Sequence, residues 1–269
     1  MVVFFYFENN SISVTNISLN FDNLPRSFDG YRIVHLSDLH NKRFGSNQQY
    51  LLEEIKKAKP RIIVITGDLV DGRNYDEEAG MELVTGCMEI AQVYYVTGNH
   101  ERWSGKFNSL EKKIKNSGAM ILRNNSSEIK QGNDLIYITG IDDPSLSSGY
   151  MTDNEVVSAE LKKAVNENGS KPSFTILLSH RPELFSEYKK FNIDLIFSGH
   201  AHGGQVRLPF IGGLAAPDQG LFPKYTAGKY EEDNSVMVVS RGLGNSIIPQ
   251  RIFNRPEIVV VILRSSKTP

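Results

Sequence analysis

Histidine, aspartate and asparagine recur in this sequence wherever an apolar run ends. "RIVHL" leads into "SDLH" (Asp38, His40), "RIIVITGD" ends on Asp68 with Asp71 close behind, and "VYYVTGNH" ends on Asn99 and His100, followed by Glu101. "FTILLSH" ends on His180, and "DLIFSGHAH" on His200 and His202. Of the six histidines, only His35 sits inside its run; it reads as a packed strand residue. Imidazoles and carboxylates can move protons or ligate metals. Taken singly, each motif reads more simply as local structure: Asp-x-His as a turn, Asn-His-Glu as a helix start, Gly-Asp as a loop. Their shared position is the informative feature. The carboxyl ends of strands in a doubly wound sheet lie along one edge, where ligands bind.

The elements that must position these residues alternate along the chain. Between the strand-like runs, helices are predicted from about Gln48 to Lys57, about Asp76 to Ala91, near Ser109–Asn116 and near Asp153–Asn166. "PELFSEYKKF" begins another with proline in its first turn. "AMILR" and "LIYITGID" straddle "NNSSEIKQGN", a run of turn formers that predicts a hairpin. Later, "QVRLP", "SVMVVSRG" and "EIVVVILR" read as strands joined by Gly- and Pro-rich loops, without clear helices. Continuous apolar strands predict a sheet buried on both faces in an α/β layered architecture, with antiparallel strands added by the helix-poor end. No repeat or linker divides the chain. We expect one domain over 30–269, preceded by a strand or extension over 1–29.

Composition narrows the function. The 269 residues are 40% hydrophobic and 23% charged, with net charge −1, which argues against a nucleic-acid partner bound through a broad basic face. The single cysteine, Cys87, excludes an intrachain disulfide or a thiolate metal cage and reads as core packing.

In order, Asp-x-His, Gly-Asp, Gly-Asn-His-Glu, a lone histidine after a strand and Gly-His-x-His span residues 38–204. This set resembles the signature of the calcineurin-like metallophosphoesterases. The resemblance implies a four-layer α/β/β/α sandwich with two mixed β-sheets. It also implies two divalent metal ions, with Asp38, His40 and His202 on one, Asn99, His180 and His200 on the other, and Asp68 bridging. His100 would bind no metal and resembles the family's catalytic histidine. "FDGYRIVHLSDLH", "GHAHGGQVRLPFIGGLAAPDQGLFPKY" and "VSRGLGNSIIPQRIFNRPEI" look like the bacterial YkuE-like subgroup, whose relatives include UDP-diacylglucosamine pyrophosphatases.

That resemblance defines the expected chemistry. Nitrogen and oxygen ligands without thiolate suit Mn, Zn or Fe. Two divalent ions carry four positive charges against two negative ones on Asp38 and Asp68, leaving an excess for a bridging hydroxide and a phosphate oxygen. Metals roughly 3.5–4 Å apart activate water and clamp the phosphoryl group together. The expected reaction is hydrolysis of a phosphodiester or pyrophosphate, lipid-linked or nucleotide-linked. The alternatives are a protein or small-molecule phosphomonoesterase, or a non-catalytic scaffold of the same fold. His100 is placed to stabilise transition-state charge or protonate the leaving oxygen. Glu101 either orients it or caps the next segment, and Asp71 either supports the site from behind or caps its own loop.

The spacing of His200 and His202 has a mechanical reading. In a regular strand both would face one way. Leaving the strand at Gly199, with only Ala201 between them, lets the two imidazoles diverge. The apolar stretch 206–225 reads either as buried cover for the sheet or as an apolar lip beside the site. Arg241 is the preferred substrate contact and Arg207 a second candidate, because guanidinium matches phosphate; surface salt bridges are the ordinary role of Arg207, Arg251 and Arg255. "MVVFFYF" reads as a first strand or as the remnant of an N-terminal membrane anchor. The second reading implies membrane association; otherwise the protein is expected to be cytoplasmic.

Overall fold

The computed structural model describes residues 1–147, 149–166, 174–246 and 248–266. Its apolar runs form two six-stranded sheets. The first contains β1 (Ser13–Phe21), β2 (Arg32–Leu36), β3 (Ile62–Thr66), β4 (Gln92–Val96), β5 (Met120–Ile121) and β16 (Glu257–Ser265), in the order β1-β16-β2-β3-β4-β5. β2 to β5 run parallel, and β16 enters antiparallel to β2 and parallel to β1. The second contains β6 (Asn125–Gln131), β7 (Asp134–Gly140), β8 (Thr175–Leu178), β9 (Leu195–Ser198), β14 (Gly228–Glu232) and β15 (Ser235–Val239), in the order β14-β15-β9-β8-β7-β6. Its outer pairs, β14/β15 and β6/β7, are antiparallel, and the rest are parallel.

Strand alternation divides the interior into three cores. Ile62 and Val64 of β3 and Leu195 and Phe197 of β9 face the space between the sheets. Ile63 and Ile65 of β3 face the opposite way, onto α2 (Gln49–Ala58), α3 (Glu78–Met88) and α5 (Phe107–Asn116). Leu177 of β8 and Ile196 of β9 likewise face α6 (Asp153–Asn166) and α7 (Phe185–Tyr188). The helices answer with apolar residues at helical spacing, such as Leu51 and Ile55 on α2 and Leu110 and Ile114 on α5. The result is helix, sheet, sheet, helix, the four layers expected. Cys87 lies fully buried among the core residues of α3.

Three stretches differ from their simplest reading. The hairpin in the middle of the chain exists, but "NNSSEIKQGN" supplies its first strand, β6, rather than its turn. Its polar side chains are tolerated because β6 is an edge strand, while "AMILR" contributes β5 to the other sheet. "MVVFFYF" belongs to a helix, α1 (Val2–Asn10), and the first strand begins only at Ser13. The C-terminal end of α1 is pinned from afar: Glu8 accepts the backbone N–H of Asn254 and pairs with Arg255, and Asn9 accepts the N–H of Arg251. No helix among the described residues is long and apolar enough to cross a membrane. Finally, 206–225 is not simply buried cover. It forms two small hairpins, β10/β11 (Arg207–Leu208, Gly212–Gly213) and β12/β13 (Ala215–Ala216, Gly220–Leu221). They expose Phe210, Ile211, Leu221 and Phe222 while burying Ala216 and Tyr225.

Candidate metal centre

The carboxyl ends of strands from both sheets meet at one place. β2 delivers Asp38 and His40, β3 delivers Asp68, β4 delivers Asn99 and His100, β8 delivers His180, and β9 delivers His200 and His202. Each chain segment turns sharply as it leaves its strand. Asp38, His40, Asp68, His200 and His202 all adopt left-handed backbone, with φ of 53, 46, 51, 63 and 47°. Such conformations cost on the order of 1 kcal/mol per non-glycine residue and persist only where the surroundings fix them.

Here the surroundings do. The N–H of Asp38 donates to Gly67 O at 3.0 Å, and that of His40 to Asp68 O at 3.1 Å. The N–H of His200, from the second sheet, is shared between the two carboxylate oxygens of Asp38 at 3.2 and 3.1 Å. Two glycines allow the close approach: a Cβ at Gly98 would overlap Asp68 Oδ1, and one at Gly199 would overlap Ser37 Oγ.

The side chains form two groups of mutually close ligand atoms, Asp38-His40-Asp68-His202 and Asp68-His180-His200, with Asp68 common to both. In the first, His40 Nε2 lies 3.2 Å from His202 Nε2, and Asp38 Oδ1 lies 3.4 Å from His202 Nε2. In the second, His180 Nε2 lies 3.1 Å from His200 Nδ1 and 3.2 Å from Asn99 Oδ1. Asp68 Oδ2 stands between the groups, 3.5 Å from His40 Nε2 and 3.3 Å from His180 Nε2. All seven residues are buried.

The proton arrangement shows what such a cluster fits. His180 Nδ1 lies 2.6 Å from the Thr66 carbonyl, so that nitrogen carries the proton and Nε2 offers a lone pair. His200 Nε2 lies 2.9 Å from Asp218 Oδ2, so its Nδ1 offers a lone pair too. Two ring lone pairs 3.1 Å apart repel unless positive charge sits with them. The surrounding carboxylates demand that charge. Burial works against protonation of His180, yet Asp68, then Asp38 and Asp143, pull its pKa up to about 10. Burial likewise opposes ionisation of Asp68, but His180, His40 and His100 hold its carboxyl well below the usual range. His40 and His202 are held below the usual imidazole value, chiefly by burial. Neutral His40 and His202, an ionised Asp68 and a field that pulls a proton onto His180 make a donor set suited to a pair of divalent ions, whose positive charge would take that proton's place.

His100 lies beside this cluster, its ring edge-on to His40 at 4.5 Å between centroids. The N–H of Gly72 donates to its Nδ1 at 3.0 Å, which leaves Nε2 as the protonated nitrogen. Asp71 accepts the N–H groups of Arg73 and Asn74 and also faces His100 Nδ1 at 3.7 Å, so it caps its own loop beside that ring. Glu101 is engaged with backbone. Its carboxylate accepts the N–H groups of Gly98, Asp68 and Leu69, tying the β3 and β4 loops together. Burial first, then the charge of Asp68, raises Glu101 to about 7.

The arginines are largely committed. Arg241 Nη2 pairs with Glu257 at 2.9 Å, with its stem packed beside Gly203. Arg207 donates to Gly203 O at 2.9 Å, and Arg251 is buried against backbone carbonyls. His35 is fully buried in β2, with Nε2 2.8 Å from Thr66 Oγ1 and its ring against Phe197. Two residues at the site escaped sequence reasoning. Arg181 directly follows His180 and is clasped by Asp143, and Asp218 reaches His200 from the β12/β13 hairpin. The available signal for Asp218 was a lone carboxylate within an apolar stretch.

Fold and site together define an α/β/β/α protein whose Asp/His cluster is suited to two divalent ions. Residues 31–204 match the calcineurin-like phosphoesterase family, and the chain belongs to it. With its Asp/His cluster, this membership makes the chain a metal-dependent phosphoester hydrolase. The metallophosphoesterase YkuE of Bacillus subtilis is 29% identical over 267 residues, covering 97% of this chain and 88% of its own. A transmembrane protein with a metallophosphoesterase domain from Danio rerio is 27% identical, over 94% of this chain and 57% of that protein. Among solved structures, the sulfate thiohydrolase SoxB of Thermus thermophilus superposes with a TM-score of 0.53 at 13% identity, over 90% of this chain and 57% of SoxB. TT1561 of Thermus thermophilus does so with 0.52 at 13% identity, over 79% of this chain and 90% of its own. At such identities these two speak for the shared fold alone.

Proposed function

We propose that the chain hydrolyses phosphodiester or pyrophosphate bonds at a two-metal centre. Asp38, His40 and His202 hold one ion, Asn99, His180 and His200 the other, and Asp68 is shared. The observation that supports this best is Asp68 Oδ2, within 3.5 Å of a ring nitrogen in each group. A bound pair of Mn, Zn or Fe ions supplies Lewis acidity toward a phosphoryl oxygen and lowers the pKa of water.

The remaining work belongs to the side chains. Asn99 contributes a neutral oxygen, which preserves positive charge for an anionic ester. His100, with its proton on Nε2, donates to a phosphoryl or leaving-group oxygen. Arg241 and Arg207 border the His202 loop as guanidinium candidates for a phosphate. The apolar tips Phe210, Ile211, Leu221 and Phe222 support an ester whose far side is apolar, as in a lipid-linked diester.

Turnover of bis(p-nitrophenyl) phosphate against the monoester, with Mn²⁺, Zn²⁺ or Fe²⁺ added, tests the reading. A clear preference for the monoester supports the phosphomonoesterase alternative. Turnover of neither ester with any metal favours the scaffold. A screen of lipid-linked against nucleotide-linked diesters then separates the substrate classes.

The same reading includes contact with a membrane surface. Helix α1 exposes Val2, Val3, Tyr6 and Phe7, and Phe4 packs edge-on against the exposed Phe253 at 5.5 Å. Flotation with phosphatidylglycerol vesicles tests it. If Phe7→Ser and Phe253→Ser together leave flotation unchanged, this surface is not the contact.

A further inference from the structure

His180 and His200 face each other across the second group, but their outer nitrogens are held differently. His180 is fixed by a main-chain carbonyl at the end of β3, part of the sheet itself. His200 is fixed by Asp218, from the link between β12 and β13, a hairpin outside both main sheets. The Asp218 side chain is 54% exposed, so water competes for its carboxylate. It is nevertheless held in place: Asp218 takes left-handed backbone, and its Oδ2 also accepts from Arg181 Nη1 at 2.6 Å. Arg181 is clamped from behind by Asp143, Nε to Oδ2 at 2.7 Å and Nη2 to Oδ1 at 3.1 Å. The link is braced by Gln219, whose side chain bonds both the N–H and the carbonyl of Tyr225.

Glu183, His200 and Asp218 also lie close enough to suggest a third cation site. Arg181 already supplies the cation there, with Nη1 2.6 Å from Asp218 and 3.6 Å from Glu183. Asp218 therefore faces His200 as a hydrogen-bond acceptor, backed by a fixed positive charge.

We propose that Asp218 is a positioning residue for the ion held by Asn99, His180 and His200. Its carboxylate keeps the His200 proton on Nε2 and the lone pair on Nδ1, turned toward His180, and Arg181 keeps the carboxylate there. This rests on the two-metal reading. A carboxylate behind a ligating imidazole orients the ring and raises its basicity, and losing it costs about 10–100-fold in metal affinity. The hairpin that carries the apolar tip Leu221 thus also sets the affinity of one of the two ions.

Stepwise loading of metal-free protein with Mn²⁺, with free Mn²⁺ counted by electron paramagnetic resonance, tests the inference. Asp218→Ala should weaken one of two binding steps by about 10–100-fold and leave the other within about threefold. Asp218→Asn keeps an accepting oxygen and should recover most of the loss. In a mutant cycle, adding Asp218→Ala to His200→Ala should weaken binding no further. Equal weakening of both steps, equal loss in the Ala and Asn variants, or additive loss in the cycle overturns the proposal. So does unchanged binding. Wild-type protein that takes up fewer than two Mn²⁺ overturns the two-metal reading instead. Should Asp218→Ala unfold, Asp218→Glu, which lengthens the reach to His200, must show the same one-step weakening.

Discussion

Asp68 and Glu101 hold each other's loops in place. Glu101 Oε2 accepts the backbone N–H of Asp68 at 2.9 Å, and Asp68 Oδ1 accepts the backbone N–H of His100, beside Glu101, at 2.8 Å. Two further N–H groups, from Gly98 and Leu69, end on the same Glu101 carboxylate. Glu101→Gln replaces one accepting oxygen with a donor that faces an N–H. We expect about 1–3 kcal/mol less stability, measured by urea unfolding, together with lower metal content. A variant that keeps both at wild-type level would show that the clamp does not hold the Asp68 loop.

Gly199 is where the β9 loop passes over β2. A Cβ there would overlap Ser37 Oγ and lie 2.5 Å from Asp38 Oδ2. Gly199→Ala should therefore disturb Asp38 and lower both metal content and melting temperature. Adding Ser37→Gly should restore part of the melting temperature, because it removes one of the two overlaps. The idea fails if the single alanine variant melts and binds metal like wild type.

Chemistry and metal binding should separate at His100. Its Nδ1 accepts the N–H of Gly72, and the proposed centre gives it no metal to hold. His100→Ala is expected to keep its metal, by mass spectrometry, while kcat falls by about 10²–10⁴. Near-normal turnover would remove the proton-donor role.

His35 predicts an acid limb in stability. Burial lowers its pKa from 6.5 to about 3 in the folded chain. The unfolded chain therefore takes up this proton first: the stabilisation is complete above about pH 6.5, declines as pH falls, and is fully lost near 3. From pH 7 to 5 this one group should cost about 2 kcal/mol. Urea titrations at both pH values should show a smaller difference for His35→Phe than for wild type, whatever the absolute stability. Equal differences would mean that His35 does not titrate this way.

Much of the centre was legible because strand ends can be read from the chain. Apolar runs stop where backbone leaves the sheet, and polar residues there must lie along the sheet edge. The geometry that makes the residues converge was not legible. Nothing local marks Asp38, Asp68 or His200 as left-handed; distant backbone bonds impose it. "NNSSEIKQGN" reads as turn because edge exposure, which permits polar strands, depends on the neighbouring strands. "MVVFFYF" reads as strand from its valines and aromatics, yet Glu8 and Asn9 fasten it as a helix to residues 251–255. Asp218 could be singled out as an isolated acid but not assigned a partner, since His200 comes to it only through the folded hairpin.

The central claim is that Asp68 serves two ions at once, and metal counting on Asp68→Ala tests it most directly. Plasma mass spectrometry of wild type, reconstituted with excess Mn²⁺ and desalted, should find two ions per chain. Asp68→Ala should retain fewer than one, because both groups lose their common carboxylate. A folded Asp68→Ala variant that still carries two would contradict the account.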